Sequence, residues 1–458
     1  MVGSAGSGSS PADAHQRTKS AQSDRYASRV RAARTTAANL VPIATGGHGA
    51  VREAHGGART AKGPITGTPL IAAGFRRIMR SMTNLTPDLI VDSDGHVCEP
   101  ADLWERGLPS HLADRGIRMR WNESTGYDVC YVEDKVATDR GLVGLGNAGE
   151  SYVDFGRGRH YEDLNPAGFD PLERVKVLDS EGIDLSVMYP GLGLKLGGIQ
   201  DPELAVASCR VYNDWMAEWV AAAPDRLAGV GALPLQDPGA AAVVAGEIKE
   251  LGLIGGFARP CAYNERPFHH PVYEPLWDAL EEHDLTFALH PAGPADMAGA
   301  SRQMGHLMAP GTHHALILQF DQQMTLSNLV YGGVLERHPA LRVAVLECGG
   351  GWIGHWMDRM NEFLESYHWA AAPLSMEPSD YFRRQCWISF DPGEKTAGAL
   401  APIVGGDRFI WASDFPHSDA KYPGVVDELR EHNGSMPDAE RTGLYGLNAL
   451  DMYGLPRP

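Results

Sequence analysis

Asp88-Leu89-Ile90-Val91-Asp92-Ser93-Asp94-Gly95-His96 is an apolar run that breaks off into carboxylates, a glycine and an imidazole. Apolar residues bounded in this way read as a short, fully buried β-strand. In a parallel barrel the C-terminal tips of the strands converge on one pocket, so Asp-x-His at such a tip is where a metal site would begin. The rest of the chain is therefore read for further strands and for what stands at their ends.

Regular alternation begins near residue 169. Apolar strands are expected at 183–190, 227–234, 254–260, 285–291, 341–347, 385–391 and 408–414, after the first at 88–96. Between them lie helical patterns at 171–181, 201–223, 239–251, 272–283, about 313–337, 352–367 and 396–404. Eight strands alternating with helices is the count of a (β/α)8 TIM-type barrel. Their near-continuous apolar character suits a sheet covered on both faces. An open doubly wound sheet is the competing architecture, and the eightfold count favours the barrel.

Two stretches stand outside this pattern. Residues 1–80 are rich in Ala, Gly, Ser, Thr and Arg, with twelve Lys and Arg against Asp13, Asp24 and Glu53. They bury too little apolar surface to offset ordering, so a disordered N-terminal extension is expected ahead of a barrel at 81–458. Met79 and Met82 are candidate starts, and the Arg-rich, acid-poor composition is also that of a transit peptide. Residues 95–168 form a long insertion after the first strand, of a length that commonly serves as a lid or a subunit contact.

The net charge of -18 argues against nucleic acid as a partner, because a phosphate backbone would be repelled. No apolar run reaches the roughly 18 residues of a membrane span. Six scattered cysteines without a C-x-x-C pair suggest free thiols in a reducing compartment, hence a cytoplasmic protein. The expected partner is a small-molecule substrate. A homodimer is expected, since symmetric assembly is the common case.

The strand tips read, in order, Asp94 and His96, Tyr189, Leu233-Pro234, Arg259, His290, Glu347, Asp391 and Asp414. Asp94, His96, His290 and Asp414 supply two nitrogens and two carboxylates, a donor set for one divalent ion. Taken singly, each has a plainer reading: a histidine after an apolar strand can be hydrogen-bonded in the core, and a strand-end aspartate can cap a helix. The four together point to a metal.

Asp92-Ser93-Asp94-Gly95-His96-Val97-Cys98-Glu99-Pro100, Leu289-His290-Pro291, Glu347-Cys348-Gly349-Gly350-Gly351-Trp352 and Ala412-Ser413-Asp414-Phe415-Pro416-His417 together resemble the amidohydrolase superfamily. They resemble most its amidohydrolase-related branch, which includes aminocarboxymuconate-semialdehyde decarboxylase-like enzymes. The resemblance runs from residue 88 to about 453. It implies a (β/α)8 barrel that carries out metal-dependent hydrolysis or nonoxidative decarboxylation. Two departures matter. The opening His-x-His common in the family is here Asp94-x-His96, a carboxylate that shifts preference from Zn toward Mn or Fe. The histidine that decarboxylase-like members carry before the glycine run is here Cys348, which leaves Glu347 as a substitute ligand or base, or as a structural residue.

On this reading a Zn, Mn or Fe ion is held by His96, His290 and Asp414, with Asp94 as fourth ligand, and activates water. Asp414 accepts the proton, His417 assists the transfer or orients substrate, and Arg259 offers a fixed cation to a substrate carboxylate. The expected activity is hydrolysis of a C–N or C–O bond in a small carbonyl or carboxylate compound. The alternative is nonoxidative decarboxylation of an aromatic or unsaturated acid, and a third reading is an inactive barrel kept as a binding subunit. His269-His270 and His313-His314 are left as possible substrate contacts. Trp352, Trp356 and Trp411 read as core or subunit contacts, and Glu99 as either a pocket residue or a helix-start carboxylate.

Overall fold

A computed structural model describes residues 89–133, 135–138, 145–150, 158–292 and 318–457. The expected disordered extension, Met79, Met82, His313 and His314 lie outside the described residues. The first strand, β1 (Val91–His96), is buried at every position. After it come a short helix α1 (Leu103–Gly107) and an antiparallel sheet of β2 (Arg118–Asn122), β3 (Tyr127–Val132) and β4 (Lys135–Thr138). This small sheet sits within the insertion, where the strands are only partly buried and carry no continuous apolar run to mark them in the sequence.

The remaining strands are β5 (Leu185–Tyr189), β6 (Leu227–Ala232), β7 (Gly255–Ala258), β8 (Thr286–Leu289), β9 (Val343–Val345), β10 (Cys386–Phe390) and β11 (Phe409–Trp411). They pair in the order β1-β5-β6-β7-β8-β9-β10-β11, parallel throughout. The two ends of that order meet at the tips. Asp414 N donates to Asp94 O at 3.0 Å, and His96 N donates to Phe415 O at 2.7 Å. The (β/α)8 barrel is thus the architecture, and the open sheet is set aside.

Three of the helices that cover the barrel start on one local device. Asp170, Asp201 and Asp237 each precede a proline and cap α2 (Pro171–Glu181), α3 (Pro202–Val220) and α4 (Pro238–Glu250) through side-chain oxygens that accept first-turn N–H groups. The carboxylate satisfies otherwise orphaned donors, while proline at the first helical position gives up no hydrogen bond. The pattern expected at 272–283 divides into a 3-10 turn, Pro271–Tyr273, and α5 (Glu274–Glu282). Further on lie α6 (Leu318–Tyr331), α7 (Ile353–Tyr367) and α8 (Ala397–Val404). Among the described residues no helix is long and apolar enough to cross a membrane. Trp411 and Trp356 are core residues, their indole N–H groups donating to Tyr445 O and Ser327 Oγ.

The glycine run after β9 is explained by packing. Gly350 N and Gly351 N donate to the Glu394 carboxylate at 2.9 and 3.2 Å. A Cβ on Gly350 would lie 2.4 to 2.5 Å from three atoms of the Phe390 ring. That ring is 1% exposed and sits against Phe409, so it has nowhere to go. Gly350→Ala is therefore expected to destabilise the fold by about 1–3 kcal/mol, measured by urea unfolding; a variant as stable as the parent would show that the ring yields freely.

Candidate metal centre

The site is built on two histidines held by the same local chemistry. His96 Nδ1 lies 2.7 Å from Pro190 O, at the end of β5, and His290 Nδ1 lies 2.7 Å from Pro291 O. A carbonyl oxygen only accepts, so each ring carries its proton on Nδ1 and leaves Nε2 with a lone pair. Those two Nε2 atoms face each other at 3.3 Å. Opposed lone pairs at that distance repel unless a cation lies between or beside them. A carbonyl that fixes the imidazole tautomer is also the usual support behind a metal-binding histidine.

Two carboxylates complete the cluster. Asp94 Oδ1 lies 3.5 Å from His96 Nε2, and its Oδ2 lies 3.3 Å from His290 Nε2. Buried at 1% exposure, Asp94 Oδ1 accepts no hydrogen bond among the described residues. Asp414 Oδ1 lies 3.0 Å from His96 Nε2 and 2.9 Å from His417 Nδ1. Ligand atoms of Asp94, His96 and His290 fall mutually within 4.8 Å, as do those of His96, Asp414 and His417. Three of the four residues singled out in the sequence, Asp94, His96 and His290, thus form one trio, and the fourth, Asp414, reaches it through His96, common to both. The donor set and the orphaned oxygen fit one divalent ion.

The electrostatics divide the carboxylates by role. Burial works to raise the Asp414 carboxyl, but the adjoining His417 imidazole opposes it most strongly, and the carboxyl is held well below the usual range. Glu347 goes the other way, pushed well up by burial and then by the negative charges of Asp414, Asp419 and Asp94. Its Oε2 lies 3.6 Å from His290 Nδ1, on the ring edge away from the facing Nε2 atoms, and it belongs to neither trio. Asp414 and Glu347 share a backbone peculiarity, with φ of 57° and 46°. This left-handed conformation turns the chain sharply at the two strand tips and is one that aspartate adopts more readily than most residues.

His417 is 6% exposed and stacks on His96, with ring centroids 3.9 Å apart. Arg259 follows β7 and packs on the 3-10 turn Leu192–Gly198, for a Cβ on Gly197 would lie 3.1 Å from Arg259 Cβ. That turn carries Lys195, whose ammonium is pushed down by burial and stands in the electrostatic field of Cys130, Arg259 and Glu347. Lys195 escaped the sequence reading; its signal was a lone cation just beyond the β5 tip. Cys348 is buried, which pushes its thiol far up, so it cannot replace the missing imidazole as an acid or base.

Glu99 serves the start not of its own helix but of the 3-10 turn Leu192–Gly198. Fully buried, it accepts from Gly191 N, Leu192 N and Gly193 N at 3.2, 2.7 and 3.0 Å and fixes the start of the turn that bears Lys195. Burial pushes its carboxyl up to about 7 against those donors. His270 Nδ1 accepts from Val272 N, and His269 lines a separate groove of about 630 Å³ with Gln323, Ser327 and Tyr331. Neither joins the metal-binding cluster.

Comparisons with known proteins bear on the family and the fold. A family model described as amidohydrolase matches residues 109–455. Gamma-resorcylate decarboxylase from Polaromonas sp. is 27% identical over 299 residues, covering 62% of this chain and 87% of that protein. An amidohydrolase structure from Mycobacterium avium subsp. paratuberculosis superposes with a TM-score of 0.68 at 19% identity, covering 81% of this chain and all of its own. The 5-carboxyvanillate decarboxylase of Novosphingobium aromaticivorans, complexed with manganese and 4-hydroxy-3-methoxy-5-nitrobenzoic acid, superposes with a TM-score of 0.59 at 19% identity, covering 81% of this chain and 100% of its own.

Proposed function

We propose, since this chain belongs to the amidohydrolase family, that it is a metal-dependent nonoxidative decarboxylase of an aromatic carboxylic acid. The observation that carries the metal dependence is the pair of Nε2 lone pairs facing each other at 3.3 Å, flanked by the carboxylates of Asp94 and Asp414. Similarity to gamma-resorcylate decarboxylase and to a manganese-bound decarboxylase favours loss of carbon dioxide over the hydrolysis expected from the sequence. Asp94, His96, His290 and Asp414 would hold the ion, and two carboxylates in the set suit manganese. When bound, such an ion supplies Lewis-acid polarisation of the substrate carboxylate and a neighbouring oxygen.

The chain's own residues do the rest. Arg259 and Lys195 give one side of the mouth a positive field that receives and orients an anionic substrate. As the bond to the carboxylate carbon breaks, its electron pair passes to the ring carbon, which takes up one proton while carbon dioxide departs. Asp414 Oδ1 and His417 Nδ1, 2.9 Å apart, are placed to share and deliver that proton. The buried rings of Tyr189 and His290, stacked with centroids 5.4 Å apart, line the inner side and keep water from it.

Hydrolysis stands as a second reading, favoured by Cys348 at the position where decarboxylase-like members carry histidine. The two readings separate on a panel of hydroxybenzoates with a carboxylate beside a phenolic oxygen. Manganese-loaded protein is expected to release carbon dioxide and the matching phenol in equal amounts, to stop on chelation and to recover when manganese is returned. Silence across the panel, with ¹⁸O from water entering ester or amide products instead, would overturn decarboxylation.

A further inference from the structure

Asp92 is one of the buried carboxylates that take no part in the chemistry above. Asp92, two residues before Asp94 and 1% exposed, has all its oxygen capacity engaged. Its Oδ1 accepts from Ser413 N at 2.8 Å and Asp94 N at 3.3 Å, and its Oδ2 accepts from the hydroxyls of Ser413 and Ser186, both at 2.7 Å. Ser413 Oγ in turn accepts from Phe415 N at 3.1 Å. Beside these bonds run the two backbone contacts from Asp94 O to Asp414 N and from His96 N to Phe415 O. Residues 92, 94 and 96 are thus matched in order with 413, 414 and 415 across the seam where the last strand returns to the first.

Three of the four candidate ligands, Asp94, His96 and Asp414, lie on that seam; His290 alone stands off it. The packing there admits little slack. A Cβ on Gly95 would come within 2.7 Å of Ser186 Oγ and 2.9 Å of Asp92 Oδ2. Burying a carboxylate here is costly, and the cost is offset only while its hydrogen bonds are made.

We propose that Asp92 is a positioning residue which, through Ser413, clasps the last strand to the first and so fixes Asp414 against Asp94 and His96 at the spacing an ion requires. This rests on the metal-site reading above and extends it to residues that touch no ligand atom. Outer residues that orient metal ligands commonly change affinity by about 10–100-fold when lost.

Two serines make the test sharp, because each donates one hydroxyl to the same Asp92 oxygen at the same distance. Only Ser413 lies on the seam; Ser186 lies on β5. Ser413→Ala also leaves the Phe415 N–H without its acceptor, so a purely structural role predicts a lower urea-unfolding midpoint for Ser413→Ala but parent Mn²⁺ affinity in both variants. The clasp predicts that Ser413→Ala raises the Kd for Mn²⁺ about tenfold or more, whereas Ser186→Ala changes it by less than about twofold. Mn²⁺ binding is read by the EPR signal of the free ion in titrations of the metal-free full chain, with no substrate present. Wild-type affinity in Ser413→Ala, or equal shifts in both variants, would overturn the clasp while leaving the metal site standing. Failure of the parent protein to bind Mn²⁺ would instead remove the metal reading, and the clasp with it.

Discussion

Asp414→Asn is expected to lower turnover by on the order of 10³-fold while the barrel remains folded. The backbone should tolerate the change. Asparagine is among the few residues at ease with the φ of 57° found there, and the Asp414 N to Asp94 O bond that helps close the ring does not involve the side chain. What disappears is an anionic oxygen 3.0 Å from His96 Nε2 and 2.9 Å from His417 Nδ1. An amide oxygen is a poorer ligand than a carboxylate, so Mn²⁺ affinity should fall with turnover. The amide also cannot carry a proton to carbon, so saturating the variant with metal should not restore the rate. Thermal unfolding of the metal-free protein should stay within about 1 kcal/mol of the parent. A variant that turns over normally at saturating Mn²⁺ would take Asp414 out of the chemistry.

Much of the barrel could be read from the chain because its information is local. Each strand is a short apolar run, and three covering helices announce themselves by Asp-Pro, at Asp170, Asp201 and Asp237. The small antiparallel sheet in the insertion was not legible, since its strands are only partly buried and carry no continuous apolar run. Among the site residues, Asp94, His96, His290 and Asp414 stand at strand tips, where a repeating architecture fixes direction; Asp94, His96 and His290 fall in one cluster, and Asp414 reaches it through His96. Glu347 shows where that logic stops. Its tip position is right, yet a left-handed turn brings the carboxylate to the Nδ1 edge of His290. Glu99 shows the reverse, a carboxylate in a recognisable motif whose partners are three backbone N–H groups some ninety residues away. Hydrogen bonds of that range leave no periodicity behind them.

Arg174 is the clearest case of what pattern alone misses, and it supports the second large prediction. It lies in α2, where a charged residue in an amphipathic stretch would be assigned to solvent, yet it is 1% exposed. Its Nε donates to Ala167 O at 2.9 Å, its Nη2 donates to His96 O, and its guanidinium lies 4.8 Å from the centre of the Phe415 ring. Burial pushes the guanidinium down to about 10, with the nearby Asp92 charge opposing, so it remains a cation at neutral pH. Arg174 thus ties the insertion's last turn to the backbone of His96, a candidate metal ligand, and answers the charge of the seam carboxylate. Arg174→Met would fill much of the volume but leave two buried carbonyls without a donor and Asp92 without its countercharge. Breaking a buried charge arrangement from one side costs about 3–5 kcal/mol, and that loss is expected in urea unfolding. Arg174→Lys should recover little of it, because a single ammonium cannot reproduce the planar fork that reaches both carbonyls while lying over an aromatic ring. Mn²⁺ affinity should fall in both variants, since the His96 carbonyl is freed beside its own imidazole. A methionine variant within about 1 kcal/mol of the parent would mean that the seam holds without this cation, and that the hydrogen bonds from Ser413, Ser186 and Asp94 N keep Asp92 in place.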